Sequence, residues 1–152
     1  MHDISRTACP SESVDAWTEA EAAAFAHLCE ATGSSPGESA FLGDFNGTAN
    51  AFYFNNEEIQ YDGEVFYAPK VATFAIPYSA TGVFLDRADA QRWAMRIALA
   101  LPVFDVGNMA QFRVSNRGFG AVRMKQFQFT SESEPEWAWE IELHFDVVVR
   151  IR

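Results

Sequence analysis

The chain has 152 residues and 49% hydrophobic content, enough for one domain with its own core and no need of a metal or disulfide to hold it. Twenty-one acids against 11 bases leave a net charge of −10. That charge opposes attraction to DNA, RNA or an anionic membrane as a main role. Aromatic residues make up 14% of the chain, 14 of them Phe, so the composition is globular rather than disordered.

Residues 1–12, "MHDISRTACPSE", are polar and aperiodic and read as a flexible N-terminal arm, with a single α+β domain expected over 13–152. They hold neither a basic start nor an apolar run, so no secretory signal is expected. No stretch approaches the ~20 apolar residues of a membrane span. Cys9 and Cys29 are therefore expected to be reduced thiols.

A first helix is expected over 13–32. Ser13 is one candidate cap, and Thr18 with Glu21 fits a capping box. Ala22, Phe25, Ala26 and Cys29 recur at helical spacing, and Gly33 suits a left-handed stop. His27 falls on the flank of this stripe. Asn46-Gly47 and Asp62-Gly63 each lie between apolar runs and predict hairpins. Ala51 to Phe54 reads as a short strand. Ile59 and Tyr61 would pair with Val65 and Tyr67.

From Val71 to Tyr78, Ala72, Phe74, Ile76 and Tyr78 share one face of a strand. Pro77 cannot donate to a ladder, which predicts an edge or a strand end there. A second helix spans 86–101, capped by Asp86 with Asp89 in its first turn. Ala90, Trp93, Ala94, Ile97 and Leu101 form its apolar face, with Arg87, Gln91 and Arg96 opposite, and Pro102 stops it.

Beyond it the chain reads as β. Ala110, Phe112 and Val114 alternate with polar neighbours, "NRGFG" (116–120) is a bend, 121–130 extends again, and "SESEPE" (131–136) is a polar loop. The stretch from Trp137 to Ile151 alternates Trp, Trp, Ile, Leu, Phe, Val, Val, Ile with a mostly charged set. Fully extended it would reach roughly 50 Å, so it is expected to bend or to project. A projecting ladder favours a partner that covers it. The fold expected is α+β, a mainly antiparallel sheet with two helices packed on one face and a long C-terminal strand.

Chemistry is sparse. Glu140, Glu142, His144 and Asp146 share the polar face of the last strand and are read as an oligomer or partner interface. A metal site there would have one His, whereas zinc prefers several His or Cys ligands. No nucleophile motif or phosphate loop is present: "GFGAV" (118–122) lacks a third Gly and a following helix. "FLGDFNG" (41–47) lacks the ligand pattern of a calcium loop. Arg113, Arg117, Arg123 and Lys125 lie on neighbouring strands, where cross-strand ion pairs with the acids of the last strand account for them. No catalytic, cofactor-binding or metal-binding residue is assigned, and no cofactor is expected.

The order of elements resembles the tail terminator, or tail-completion, proteins of long-tailed bacteriophages. The likeness runs over about 13–151. A leading helix (13–32) and turn-rich strands (40–67) precede "KVATFAIPYSA" (70–80). That strand runs into the amphipathic "DRADAQRWAMRIALALP" (86–102), and the long "WAWEIELHFDVVVRI" (137–151) follows. The resemblance implies a non-enzymatic virion protein, a homo-hexameric ring that caps the tail tube and joins it to the head connector. Its partners would be itself, the tail tube protein and the head-completion protein, with DNA an unbound passenger through the lumen and no membrane. It would reside in the virion and, during assembly, in the host cytoplasm. Glu57, Glu58, Asp62 and Glu64 would then line an acidic lumen or a partner loop.

Two alternatives belong to other classes. One is another adaptor, of a phage virion or of a different multiprotein assembly. The other is a small ligand-binding or enzymatic α+β domain like the nuclear-transport-factor fold, its pocket lined by Phe52, Phe54, Phe74, Phe127, Phe129 and Trp139.

Overall fold

The computed structural model describes residues 15–57, 66–68, 71–101, 105–106, 110–119 and 122–151. The arm 1–12, Ser13, Cys9, Pro102 and the Asp62-Gly63 turn lie outside them. Helix α1 is Ala16–Thr32 and α2 is Arg87–Ala100. The strands are β1 (Ala40–Leu42), β2 (Ala51–Asn56), β3 (Phe66–Ala68), β4 (Val71–Phe84), β5 (Asp105–Val106), β6 (Ala110–Phe119), β7 (Arg123–Phe127) and β8 (Glu136–Ile151). They form one eight-stranded sheet in the order β1-β2-β4-β8-β6-β5, with β3 on β4 and β7 on β8. All pairs but β1–β2 are antiparallel. Both helices pack on one face of this sheet, an α+β fold with a long C-terminal strand.

Helix α1 starts on Asp15, whose side chain makes no capping bond, and Thr18 and Glu21 lie inside it. The expected capping box is thus absent. Glu21 instead accepts a hydrogen bond from the Tyr78 hydroxyl at 2.6 Å, and Trp17 donates to the same hydroxyl at 2.8 Å. The buried stripe is also rotated. Ala16, Ala20, Ala24, Phe25, Leu28 and Cys29 face the core, while Ala22 and Ala26 are exposed. An alanine-rich run lets several faces pass for apolar, and the large side chains decide which one docks. Gly33 ends the helix at φ 68°, as its position predicts.

Helix α2 follows the sequence reading. Asp86 accepts from the Ala88 N–H, and Ala90, Trp93, Ala94 and Ile97 are buried. The Trp93 ring lies over Gly82 of β4, between Phe52 and Phe84, at centroid distances of 5.6 and 5.8 Å.

Three expectations about strands are corrected. Asn46-Gly47 makes no hairpin, because β1 and β2 run parallel with Ala40 opposite Phe52. The loop between them crosses the face away from the helices, where Phe41 and Phe45 pack against Tyr53 at 5.4 Å each. Asn46 Oδ1 accepts the Thr48 N–H at 3.1 Å, an Asx turn. Gly47, at φ 92°, lies so close to the Phe129 carbonyl that a Cβ would stand 1.9 Å from its oxygen.

Pro77 lies inside β4, a 14-residue strand in the middle of the sheet, rather than at its end. Its ring nitrogen points away from β8, to the side where no strand among the described residues pairs with Pro77. β2 pairs with β4 only as far as Tyr78, and β3 only as far as Thr73. The Pro77 carbonyl on that side is met by the Glu57 N–H at 2.9 Å, and the ladder to β8 continues unbroken.

The third correction concerns β8. It does not project: β4 pairs with it from Trp139 to Ile151, and β7 and β6 take its other edge. The bend expected at 116–120 falls within and just beyond β6, which runs to Phe119. There the register jumps between Val114–Phe145 and Phe119–Leu143, a bulge that absorbs the extra residues.

The alternation of β8 divides two cores. Ile141, Leu143, Phe145, Val147 and Val149 are buried under the helices. On the other face Ala138 joins Ala51, Tyr53, Val83 and Phe127, covered by Phe41, Phe45 and Phe129. Trp137, expected in the core, is 59% exposed because β8 begins beyond the reach of the helices.

Candidate functional site

The polar face of β8 gathers charged side chains from several strands. Strand alternation brings Glu140, Glu142, His144 and Asp146 to the face away from the helices. Cross-strand register sets Val83 and Arg123 beside Glu140, Thr81 beside Glu142, Ser79 beside His144, and Pro77 and Arg113 beside Asp146.

These groups form an alternating ladder. Glu140 is 4% exposed. Arg123 Nη2 and Nε meet its Oε1 at 2.6 and 3.1 Å, and Lys125 Nζ lies 3.4 Å from its Oε2. Arg123 Nη2 also reaches Glu142 Oε2 at 4.0 Å, and the same oxygen lies 3.7 Å from His144 Nε2. His144 Nδ1 closes the series on the carboxylate of Glu57. The hydrogen bond from Arg123 to Glu140, then the charge of Glu140, pushes the guanidinium pKa up. Lys125 also stands over the Phe127 ring at 5.3 Å.

The predicted interface set is therefore not uniform. Glu140 is covered and paired within the chain, so it offers nothing to a partner. Glu142, His144 and Asp146 are half-buried. The proposed acidic cluster is divided too: Glu57 is held by His144, while Glu58, Asp62 and Glu64 lie outside the described residues. Sequence spacing placed the four β8 residues on one face, but the tie between Glu57 and His144, 87 positions apart, has no local signal. What the ladder does chemically is neutralise charge. Among the described residues no group of three or more His, Cys, Asp and Glu side chains is placed to hold a metal.

The aromatic set suggested for a pocket does not converge. Phe52 and Phe54 pack under the helices, while Phe127 belongs to the core on the opposite face with Phe129 against it. Trp139 packs at the margin of the helix-side core, under the guanidinium of Arg87 at 5.6 Å.

A cavity of about 350 Å³ lies instead between the end of α1 and the side of α2. Thr32, Ser34, Ser39, Asn50, Asp89, Arg92 and Arg96 contribute its polar lining. Arg92 is paired with Asp89 at 2.6 Å. No local pattern marks this cavity, because its walls come from three separated stretches.

No helix among the described residues is long and apolar enough to cross a membrane. Compared with known proteins, the chain matches no family model and no curated protein.

Proposed function

We propose that the protein is a non-enzymatic structural subunit that assembles with copies of itself into a ring, as a tail terminator of a long-tailed phage does. In that role a hexamer caps the tail tube, joins it to the head connector and lets DNA pass. The protein then belongs to the virion and is assembled in the host cytoplasm. The observation that carries the reading is the exposure of large apolar side chains on regular elements. Leu99 is 72% exposed, Met95 60%, Trp137 59% and Met124 45%. Grouped apolar side chains left to water mark protein contacts. The element order, with both helices on one face of a sheet built around β8, supports the same reading. A net charge of −10 suits a lumen along which DNA slides without sticking.

Native mass spectrometry across ionic strengths, with negative-stain images of the same samples, tests it. A closed ring of identical subunits is expected. A protein that stays monomeric at every salt and at high concentration overturns the reading.

A further inference from the structure

We infer that neighbouring copies meet head to tail, the acidic turn 131–136 and Trp137 of one copy seating on the outer side of α2 of the next. The inference rests on the ring reading and names its contact. Two surfaces on this chain complement each other and do not overlap.

The first is on α2. Arg92, Met95, Arg96 and Leu99 recur at i, i+3, i+4 and i+7, so they share the side of the helix turned from the core. Met95 and Leu99 form its apolar part. Arg92 and Arg96 edge it and open into the cavity of about 350 Å³, where Ser34 and Ser39 add hydroxyls. Asp89 occupies Arg92, which leaves Arg96 without an ion pair among the described residues. A cationic, hydroxyl-lined recess beside exposed Met and Leu fits a carboxylate next to a large apolar side chain.

The second surface has that chemistry. "SESEPEW" (131–137) places the exposed Glu132, Glu134 and Glu136 directly before the exposed Trp137. None of the three Glu makes an ion pair among the described residues. Met124 faces Trp139 across the β7–β8 ladder and so adjoins Trp137 on the helix side of the sheet. Exposed Trp beside a charged rim is the composition of an interface anchor.

The two surfaces are apart. Arg87, in the first turn of α2, covers Trp139, so the Trp137 surface lies off the N-terminal end of that helix. Leu99 is twelve residues further on, about 18 Å along the axis. A contact between two different patches is heterologous, and a heterologous contact whose rotation closes makes a ring. Charge complementarity selects a second copy as the occupant: the patch that supplies cations on one chain meets the patch that supplies acids on the other.

The test uses the full chain in two charge-reversed forms, Arg92→Glu with Arg96→Glu, and Glu132→Arg with Glu134→Arg. All four side chains are exposed, so circular dichroism and melting should stay close to the parent. Each form alone should lose the ring, its self-association weakened roughly tenfold or more. Mixing the two in equal amounts should restore rings, because each reversed patch then meets a reversed partner. A further variant, Leu99→Asp, should block assembly alone and should not be rescued by mixing. If the parent assembles and both charge-reversed forms assemble equally well, the contact is elsewhere: the inference falls and the ring reading stands. If the parent never assembles, both fall.

Discussion

Gly82→Ala should destabilise this protein, although alanine is ordinarily the better residue in a strand. Gly82 sits in β4 between Phe52 and Ile141, on the face that receives α2. A Cβ there would lie 2.6 Å from Trp93 Cε3, 2.7 Å from Phe84 Cε2 and 2.8 Å from Trp93 Cζ3. Two rings, both held in the core, would have to move. Replacing glycine removes a backbone entropy penalty of about 0.5–1 kcal/mol. Overpacking a tight core costs about 1–3 kcal/mol. The steric effect wins, and a net loss of about 1–2 kcal/mol should lower Tm by roughly 2–8 °C for a chain of this size. The partner in the clash identifies itself in a double-mutant cycle with Trp93→Phe. The smaller ring leaves room for the methyl group, and it also removes an indole N–H that is buried without a partner. Alanine at 82 should then be near neutral or stabilising, with a coupling of about 0.5–3 kcal/mol. Urea unfolding of the four proteins at pH 7 supplies all the values. A Gly82→Ala protein as stable as the parent, or two additive substitutions, would refute the claim that α2 docks through Trp93 onto this glycine.

Three more outcomes follow from the same structure. Arg123→Ala combined with Lys125→Ala strands the Glu140 carboxylate, whose side chain is 5% exposed, and should cost about 3–5 kcal/mol in chemical denaturation. Glu140→Gln leaves two cations that are already half in water and should cost clearly less; the opposite order would place the burden on the cations. Burial pushes the hydroxyl pKa of Tyr53 up, and burial followed by the hydrogen bond to Glu21 pushes that of Tyr78 up further. The unfolded chain releases these protons first, near pH 10. Their contribution is therefore complete below that pH and is lost as pH rises above it. Tyr53→Phe and Tyr78→Phe should each reduce the alkaline loss of stability measured between pH 8 and 11, and unchanged slopes would contradict the assignment. Cys29, buried and with its thiol pKa pushed up by that burial, should react with a thiol reagent only as fast as the chain opens; prompt labelling of the native protein at this residue would show that α1 is not packed as described.

The core face of helix α2 was readable because Trp93 and Ile97 are large and the Asp86 cap agrees with them, whereas Met95 and Leu99 on its outer side were not foreseen. Helix α1 was readable as a helix but not as a face. Seven of its residues are alanine, and the periodicity of Ala22 and Ala26 is as good as that of Ala20 and Ala24 until Leu28 and the sheet decide. The long alternation of β8 was clear, but its neighbours were not, since pairing partners of a strand carry no local signature. That is why a central strand read as a bent or projecting one. Asn46-Gly47 misled for a related reason. The dipeptide fixes a turn, whereas the stacking of Phe41 and Phe45 on Tyr53 decides where the chain goes after it. Pro77 misled as well: the strand neither lies at an edge nor ends there, and its carbonyl is met by the Glu57 N–H. Among candidate functional residues, the sequence placed Glu140 to Asp146 on one face and could not show that the first of them is sealed under Arg123.

The charge ladder also bears on how so acidic a chain meets itself. Glu140 and Glu142 are compensated by Arg123 and Lys125 on the face away from the helices, and Glu57 is hydrogen-bonded to His144 there. The acids left without such partners include the turn 131–136, next to the surface argued to make contact. Two copies approaching from far off feel their net charges, −10 each, and repel. At contact they feel Arg96 against Glu132 and Glu134 over a few ångströms. The screening length decides between the two, about 30 Å at 0.01 M salt, 8 Å at 0.15 M and 3 Å at 1 M. Low salt leaves the long-range repulsion intact. Moderate salt removes it and spares the close pairs. High salt weakens the close pairs and leaves Met95, Leu99 and Trp137 to hold the contact through apolar burial, which salt does not screen. Self-association should therefore rise steeply between 0.01 and 0.15 M and change little above that. A steady decline from the lowest salt upward, measured by analytical ultracentrifugation, would mean that ion pairs alone make the contact and that the exposed apolar side chains lie outside it.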